Sequence, residues 1–436
     1  MLSKTNSVFE RLFFILFLFF TSLNADIQLI KKENNDSNTT LLIIGGIHGD
    51  EPGGYFAASI LSTHYKVTSK NLWIVPNLNK KSIQSNSRGL NGDMNRKFSV
   101  IKDGDRDKDT VKSIKEIILS KSVSLVLNLH DGHGFYRKEN HSKIFNPNAW
   151  GQTCVIDQCA LSENQPFGNL GNIASTVKEN MNKKLLQKHH SFDVRNTNTK
   201  FDDESMQHSL TYFAVTNHKP AFAIETSKHL SSLSQKVFYQ LSAIEEFMKI
   251  MKISYSRSFK LNIEDIEKII KEYGTLEINS NILLNLDNIK KYLRYIPIKS
   301  NNNVFKFSHP LGSVKRIRSN YLVFIGNKKI TTLSPEFFQE SDGCPEQFHA
   351  EVDGTLGSYP KTSSFSAKDS FKVLKDDGFR VNVIGYKSKL GLDESGINID
   401  YKSISKRFSI DKDNKVYRVE FYNGDKFCFM STVHFE

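Results

Sequence analysis

The stretch GGIHGDEPGG, residues 45–54, sets His48 and Glu51 three residues apart directly behind the apolar run LLII. A second apolar run, SLVLNL, leads straight into His130. Two neutral imidazoles and one carboxylate form the open three-ligand set of a catalytic zinc, which keeps a further position for water. H-x-x-E alone is a common spacing, and a helix-capping Glu beside hydrogen-bonded loop histidines would give the same letters. Context favours chemistry, because both groups stand at strand ends, where open α/β sheets place their sites.

Two further segments carry matching groups. SRGLNGDMNRKF holds Arg88, Asn95 and Arg96 in a polar loop. Guanidinium forks bind carboxylates in bidentate fashion and stay charged at any physiological pH, so beside a zinc site these three suggest a clamp for a substrate carboxylate. PAFAIETSK places Glu225 at the end of a run of small and apolar residues. A carboxyl there has a raised pKa and suits a general base that deprotonates water. A Glu capping the following Thr-Ser turn is the structural alternative.

Residues 40–252 supply the scaffold, alternating strand-like and helix-like patterns as an α/β layer requires. TLLIIGGI reads as a strand buried on both faces. Its glycines allow a sharp turn and leave room around a metal and a bulky ligand. Pro52 suits a first helical position, and YFAASILSTHY follows as a helix. NLWIVPN is a second strand, DTVKSIKEIILSK a helix with Val111, Ile114, Ile117 and Ile118 on one face, and SVSLVLNLH a strand ending at His130. A helix from Asn169 to Gln187, the strand PAFAIET and a helix from Ser231 to Met251 complete the pattern. The expected class is α/β, a mixed central sheet flanked by helices.

Beyond residue 253 short alternating segments separated by Asn, Gly, Asp and Lys read as all-β modules, with YNGDKF as a hairpin signal. A break near SPEFFQESDGCPEQ divides them in two. The expected units are a signal peptide (1–25), a catalytic domain (26–252) and two smaller β domains (253–342 and 343–436). In the first unit LFFILFLFF is too short to span a bilayer, and TSLNA ends on the small residue Ala25. Leu23 departs from the usual small residue, so an uncleaved anchor stays open as the alternative. The mature chain is expected in the periplasm, with no transmembrane span.

Four cysteines suit an oxidising compartment, and the favoured pairing joins Cys154 to Cys159 and Cys344 to Cys428, each bridge within one domain. A formal net charge of +12 allows attraction to anionic lipid or to a carboxylate-rich wall polymer, although scattered surface lysines would give the same balance. Secretion and the lack of aromatic interleaving argue against nucleic acid as a partner.

H-x-x-E, then an Arg, an Asn-Arg pair, a strand-terminal His and a strand-terminal Glu resemble the ordered motifs of zinc metallocarboxypeptidases related to carboxypeptidase A. More narrowly, GGIHGDEPGG, GLNGDMNRKF, NLHDGHGFY and FAIETS, with the signal peptide and β tail, resemble the periplasmic peptidoglycan D,L-carboxypeptidases that shape helical bacteria. The resemblance implies one zinc on His48, Glu51 and His130, with Glu225 as general base and Arg88 as oxyanion stabiliser. It implies Asn95 and Arg96 as binders of the terminal carboxylate, and peptidoglycan stem peptides as substrate, trimmed from muramyl tripeptide to dipeptide with release of meso-diaminopimelate. It also implies a barrel-like middle domain and an immunoglobulin-like last domain. The tyrosine that closes over substrate in digestive relatives has no clear counterpart; Tyr212 in LTYFAV is one candidate. His133 competes with His130 as ligand, but His130 directly ends the strand. The β domains are candidates for contact with the wall or with shape-complex proteins. Two rivals stay open: a zinc N-acyl amino acid deacylase of the succinylglutamate desuccinylase or aspartoacylase type, and an inactive wall-binding scaffold.

Overall fold

One mixed sheet carries the N-terminal half. Its strands are β1 (Ile30–Lys32), β2 (Thr40–Ile44), β3 (Asn71–Val75), β4 (Val123–Gly132), β5 (Thr153–Ile156), β6 (Asp193–Asn196) and β7 (Ala221–Ser227). They lie in the order β1-β3-β2-β4-β7-β5-β6. The central four run parallel, β1 and β5 are antiparallel to their inner neighbours, and β6 runs parallel to β5. Every residue of β2 and β3 is buried, which explains why both read as unbroken apolar runs. Helices α1 (Pro52–His64) and α3 (Leu170–Met181) both pack on α4 (Leu233–Ile250), and all three lie on the sheet, while α2 (Lys108–Leu119) contacts β4 separately. The computed structural model describes residues 27–34, 38–161, 165–376, 378–388, 391 and 393–436, so the expected signal peptide lies outside the described residues. No described helix is long and apolar enough to cross a membrane.

Three local features depart from the sequence expectations. β5 and β6 are unannounced, being four-residue strands without a decisive pattern. Helix α3 stops at Met181 rather than running to Gln187. There the Asn182 amide accepts from Phe192 N (2.8 Å) and donates to Phe192 O (3.0 Å), tying the end of the helix to the segment that leads into β6. The expected Cys154–Cys159 bridge does not form. Cys154 is buried in β5 between Ile224 and Val194 of the neighbouring strands, whereas Cys159 is exposed and its carbonyl is tied to Gly171 at the start of α3. Cys344 and Cys428 are bonded, with a Cα–Cα separation of 5.6 Å.

In the tail, hydrogen bonding crosses the expected boundary at residue 342. The hairpin Thr275–Ile278 and Ile282–Asn285 meets the hairpin Val416–Asn423 and Lys426–Phe435 through Ile282 and Met430, in one seven-stranded sheet. The latter hairpin turns at YNGDKF, where Gly424 takes φ +56°. A four-stranded sheet holds Tyr292–Ile298, Lys328–Phe337, Asn320–Ile325 and Gly312–Ile317. One buried core runs from the central sheet through these middle strands and takes in Tyr422, Phe427 and Met430. The rest of the last module has its own core around Phe348, Phe371, Phe421 and Phe429.

Candidate active site

Strand register puts the first groups together. Glu225 on β7 lies directly opposite His130 on parallel β4, so their side chains share a sheet face. Residues 45–51 arrive from β2, on the other side of β4. Gly46 makes the turn at φ +77°, a conformation that side chains disfavour. A Cβ on Gly54 would come within 2.7 Å of the Leu129 carbonyl, so this glycine lets α1 lie tightly on β4. None of the glycines of 45–54 lines the cavity, so they serve the turn and the packing rather than clearing room for a ligand.

Glu51 occupies the cap position of α1 without capping it. Its Oε1 faces His48 Nδ1 at 2.9 Å and its Oε2 faces His130 Nδ1 at 2.8 Å. All three residues are buried, and the atoms each could offer to a metal lie within 4.8 Å of one another. Two buried imidazole nitrogens converging on one buried carboxylate fit a borderline cation such as zinc. Behind His48, Asp93 Oδ1 accepts from Nε2 at 2.7 Å, which orients the ring with Nδ1 toward Glu51 and raises its basicity. Burial opposes charge on His48, but Glu51 and Asp93 outweigh it and push its pKa up to about 9. Burial also works against the Glu51 carboxylate, yet the two histidines hold it well below the usual range.

Asp93 unites three functions in one carboxylate. Oδ1 also accepts from Asn95 N at 2.9 Å, capping the turn that carries Asn95 and Arg96, and Oδ2 accepts from Arg88 Nε at 2.9 Å. Arg88 reaches Glu51 as well, at 3.2 Å. The Asn95 Oδ1 is taken by Leu210 N at 2.9 Å, so its remaining polar group is the donating Nδ2. Glu225 has its pKa raised well above normal, first by burial and then by Glu51 and Asp131, with His48 and Arg88 opposing. On the opposite face Asp131 accepts from Gly53 N at 2.9 Å and from Thr226 Oγ1, fastening α1 and β7 to β4.

A cavity of about 270 Å³ opens over this face and gathers His48, Glu51, Arg88, Asn95, Arg96, His130 and Glu225. His133 also lines it, but its ring packs edge-on against His229 at 4.6 Å rather than joining the three-residue cluster. Tyr212 is not among the lining residues. Sequence reading passed over several residues that are, Asp131 among them. Asn128, two residues before His130 and therefore on the same face, is buried with neither amide atom hydrogen-bonded. Strand alternation from His130 was the signal that could have found it. Lys228 pairs with Asp50 at 2.7 Å, and Trp150 is stacked under Arg195 at 3.8 Å. Thr211 forms part of the remaining wall.

A family model described as the catalytic region of carboxypeptidases controlling helical cell shape matches residues 9–271. Another, described as the C-terminal domain of metallo-carboxypeptidases, matches residues 341–436. Among solved structures, product-bound cell shape determinant protein Csd4 of Helicobacter pylori is 33% identical, with 94% of this chain and 100% of that one covered and a TM-score of 0.89. The tripeptide-bound form of that protein gives the same values. Its mDAP-bound form, described as a D,L-carboxypeptidase, is 33% identical over 93% of this chain and 100% of that one, with a TM-score of 0.89. A comparison with curated protein sequences finds no match. The strand-end cluster, the mixed sheet and the β tail thus agree with both models, and this chain belongs to the family of metallocarboxypeptidases that control helical cell shape.

Proposed function

We propose that this protein is a periplasmic zinc D,L-carboxypeptidase that trims peptidoglycan muramyl tripeptides to dipeptides, releasing C-terminal meso-diaminopimelate and so contributing to helical cell shape. The observation that carries this reading is one cavity in which the His48–Glu51–His130 cluster adjoins Glu225 on one side and Arg88, Asn95 and Arg96 on the other. The tripeptide and mDAP found in the relative's solved structures support the substrate class.

Zinc held by His48, Glu51 and His130 would supply Lewis acidity toward the scissile carbonyl and make water a stronger acid. Arg96 and the Asn95 Nδ2 bind the terminal carboxylate of the substrate, which restricts cleavage to chain ends. Glu225, made a stronger base by its enclosed position, takes a proton from the attacking water and passes it to the leaving amine. Arg88, fixed by Asp93, stabilises negative charge developing on the carbonyl oxygen. Amide hydrolysis then consumes one water and yields the dipeptide and free diaminopimelate. An export signal at 1–25 would deliver the enzyme to this substrate.

Mass spectrometry of defined muropeptides incubated with the protein tests the reading. Tripeptide should lose one diaminopimelate, the reaction should stop with chelator and return with zinc, and N-succinyl or N-acetyl amino acids should survive. An intact tripeptide with zinc-loaded protein would refute it.

A further inference from the structure

A second concave site lies between the middle and last β modules. It encloses about 450 Å³ and brings Tyr292, Arg294 and Tyr295 from one strand against Arg407, Phe408 and Arg418 from the last module. This size lies within the range of small-ligand sites. A bulge between Leu293 and Ile296 interrupts pairing with the neighbouring strand, and Tyr295 sits in it at φ +55°. Bulges re-aim side chains, and a bulky residue in the left-handed region is held there by its surroundings. Arg418 does the holding, donating from Nη1 to the Tyr295 carbonyl (2.7 Å) and from Nη2 to the Arg294 carbonyl (3.1 Å). Tyr292 and Tyr295 consequently stand 44% and 54% exposed at the mouth.

The charge around this cavity is unbalanced. Arg418, only 3% exposed, pairs with Glu420 at 3.2 Å, yet its buried Nε–H has no acceptor. Arg294 and Arg407 have no carboxylate partner among the described residues; each lies near an aromatic ring, of Tyr292 and Phe408 respectively. Guanidinium groups without partners are poised for bidentate carboxylate binding, and flat hydroxylated rings offer stacking surfaces with a polar edge. Surfaces that insert into lipid instead present large apolar side chains on an amphipathic helix.

We propose that this cavity binds the wall glycan at muramic-acid units whose stem peptide has been removed and whose lactyl carboxylate is therefore free, anchoring the enzyme while the sheet-edge site works on a stem peptide nearby. The inference rests on the wall being the substrate polymer.

Cosedimentation of full-length protein with purified sacculi tests it. Arg294→Ala combined with Arg407→Ala should weaken sacculus binding about 10- to 100-fold, the loss of one or two charge-assisted contacts. The disaccharide of N-acetylglucosamine and N-acetylmuramic acid with a free lactyl carboxylate should compete, and neutral chitobiose should not. Turnover of soluble muramyl tripeptide should be unchanged in the double variant, which also shows that it is folded. Undiminished sacculus binding would overturn the proposal, as would equal competition by chitobiose or an equal loss of binding to phosphatidylglycerol vesicles. Wild-type protein that binds sacculi through these arginines but leaves soluble tripeptide intact would refute the proposed reaction alone.

Discussion

The sheet-edge site and the junction cavity both gather arginines, but they treat them oppositely. Arg88 is held by Asp93 and Glu51 within a prearranged network. Arg294 and Arg407 meet no carboxylate among the described residues, and only the buried Arg418 is paired. A paired arginine has its geometry fixed before substrate arrives, which is what charge stabilisation during a reaction needs. An unpaired one still has its bonding capacity to give, which is what recognition of an anion needs. The two sites should therefore fail independently. The largest test of that separation is Glu225→Gln, expected to reduce tripeptide turnover about 10²- to 10⁴-fold, the range of a lost general base. Bound zinc, by elemental analysis, and sacculus binding, by cosedimentation, should both stay at wild-type levels. Loss of sacculus binding in this variant would mean that the junction cavity is not the anchor.

The same contrast governs how much could be read in advance. His48, Glu51, His130 and Glu225 were legible because strands announce themselves as apolar runs and a parallel sheet puts their ends at one edge. Arg88, Asn95 and Arg96 stood out as polar groups in a loop with little to bury. Asp93 lies inside the same GLNGDMNRKF motif yet carries no signal of its own, since its importance comes from three bonds to residues whose positions only the fold supplies. Cys154 and Cys159 misled because closeness in sequence says little once one cysteine is locked into a sheet. The junction cavity was invisible for a similar reason. Its two walls are more than a hundred residues apart, and the bulge at Tyr295 depends on an arginine from the second wall. Division of the tail into modules was readable from its breaks, whereas the sheet that crosses them was not, because strand pairing between distant segments leaves no periodic signal.

Asp93→Asn sharpens the comparison at an intermediate scale. The amide can still accept from Asn95 N, so the turn survives, but it loses the charge facing His48 and Arg88. Removal of such a partner behind a metal ligand typically costs about 10- to 100-fold in metal affinity. Competition against a chromophoric chelator should show that loss, while tripeptide turnover at saturating zinc recovers only in part, because Arg88 has lost the carboxylate that fixes it. A variant with unchanged metal affinity would limit Asp93 to holding the loop.

The smallest expected effect lies beneath the catalytic site. His190 is buried, its ring stacked on Phe135 with centroids 5.9 Å apart and its Nδ1 3.0 Å from the Tyr239 hydroxyl. Burial, and then the neighbouring His189, lower its pKa to about 4 from an ordinary value of 6.5. Between those values the unfolded chain takes up a proton that the folded one refuses, so this contribution to stability is complete above pH 6.5 and is lost as pH falls toward 4. The loss should reach roughly 1–3 kcal/mol. His190→Phe keeps the stacking surface but has nothing to protonate, so urea unfolding should show the stability gap between wild type and variant moving in favour of the variant from pH 7 to pH 4.5. The guanidinium groups of the junction cavity keep their charge throughout this interval. Sacculus binding by folded protein should accordingly change little between pH 7 and pH 5.5, with the wall's own carboxylates still ionised, even as the catalytic layer loses stability. Binding that fell in step with stability would show that the junction cavity depends on the catalytic layer, and the two sites would then have to be treated as one.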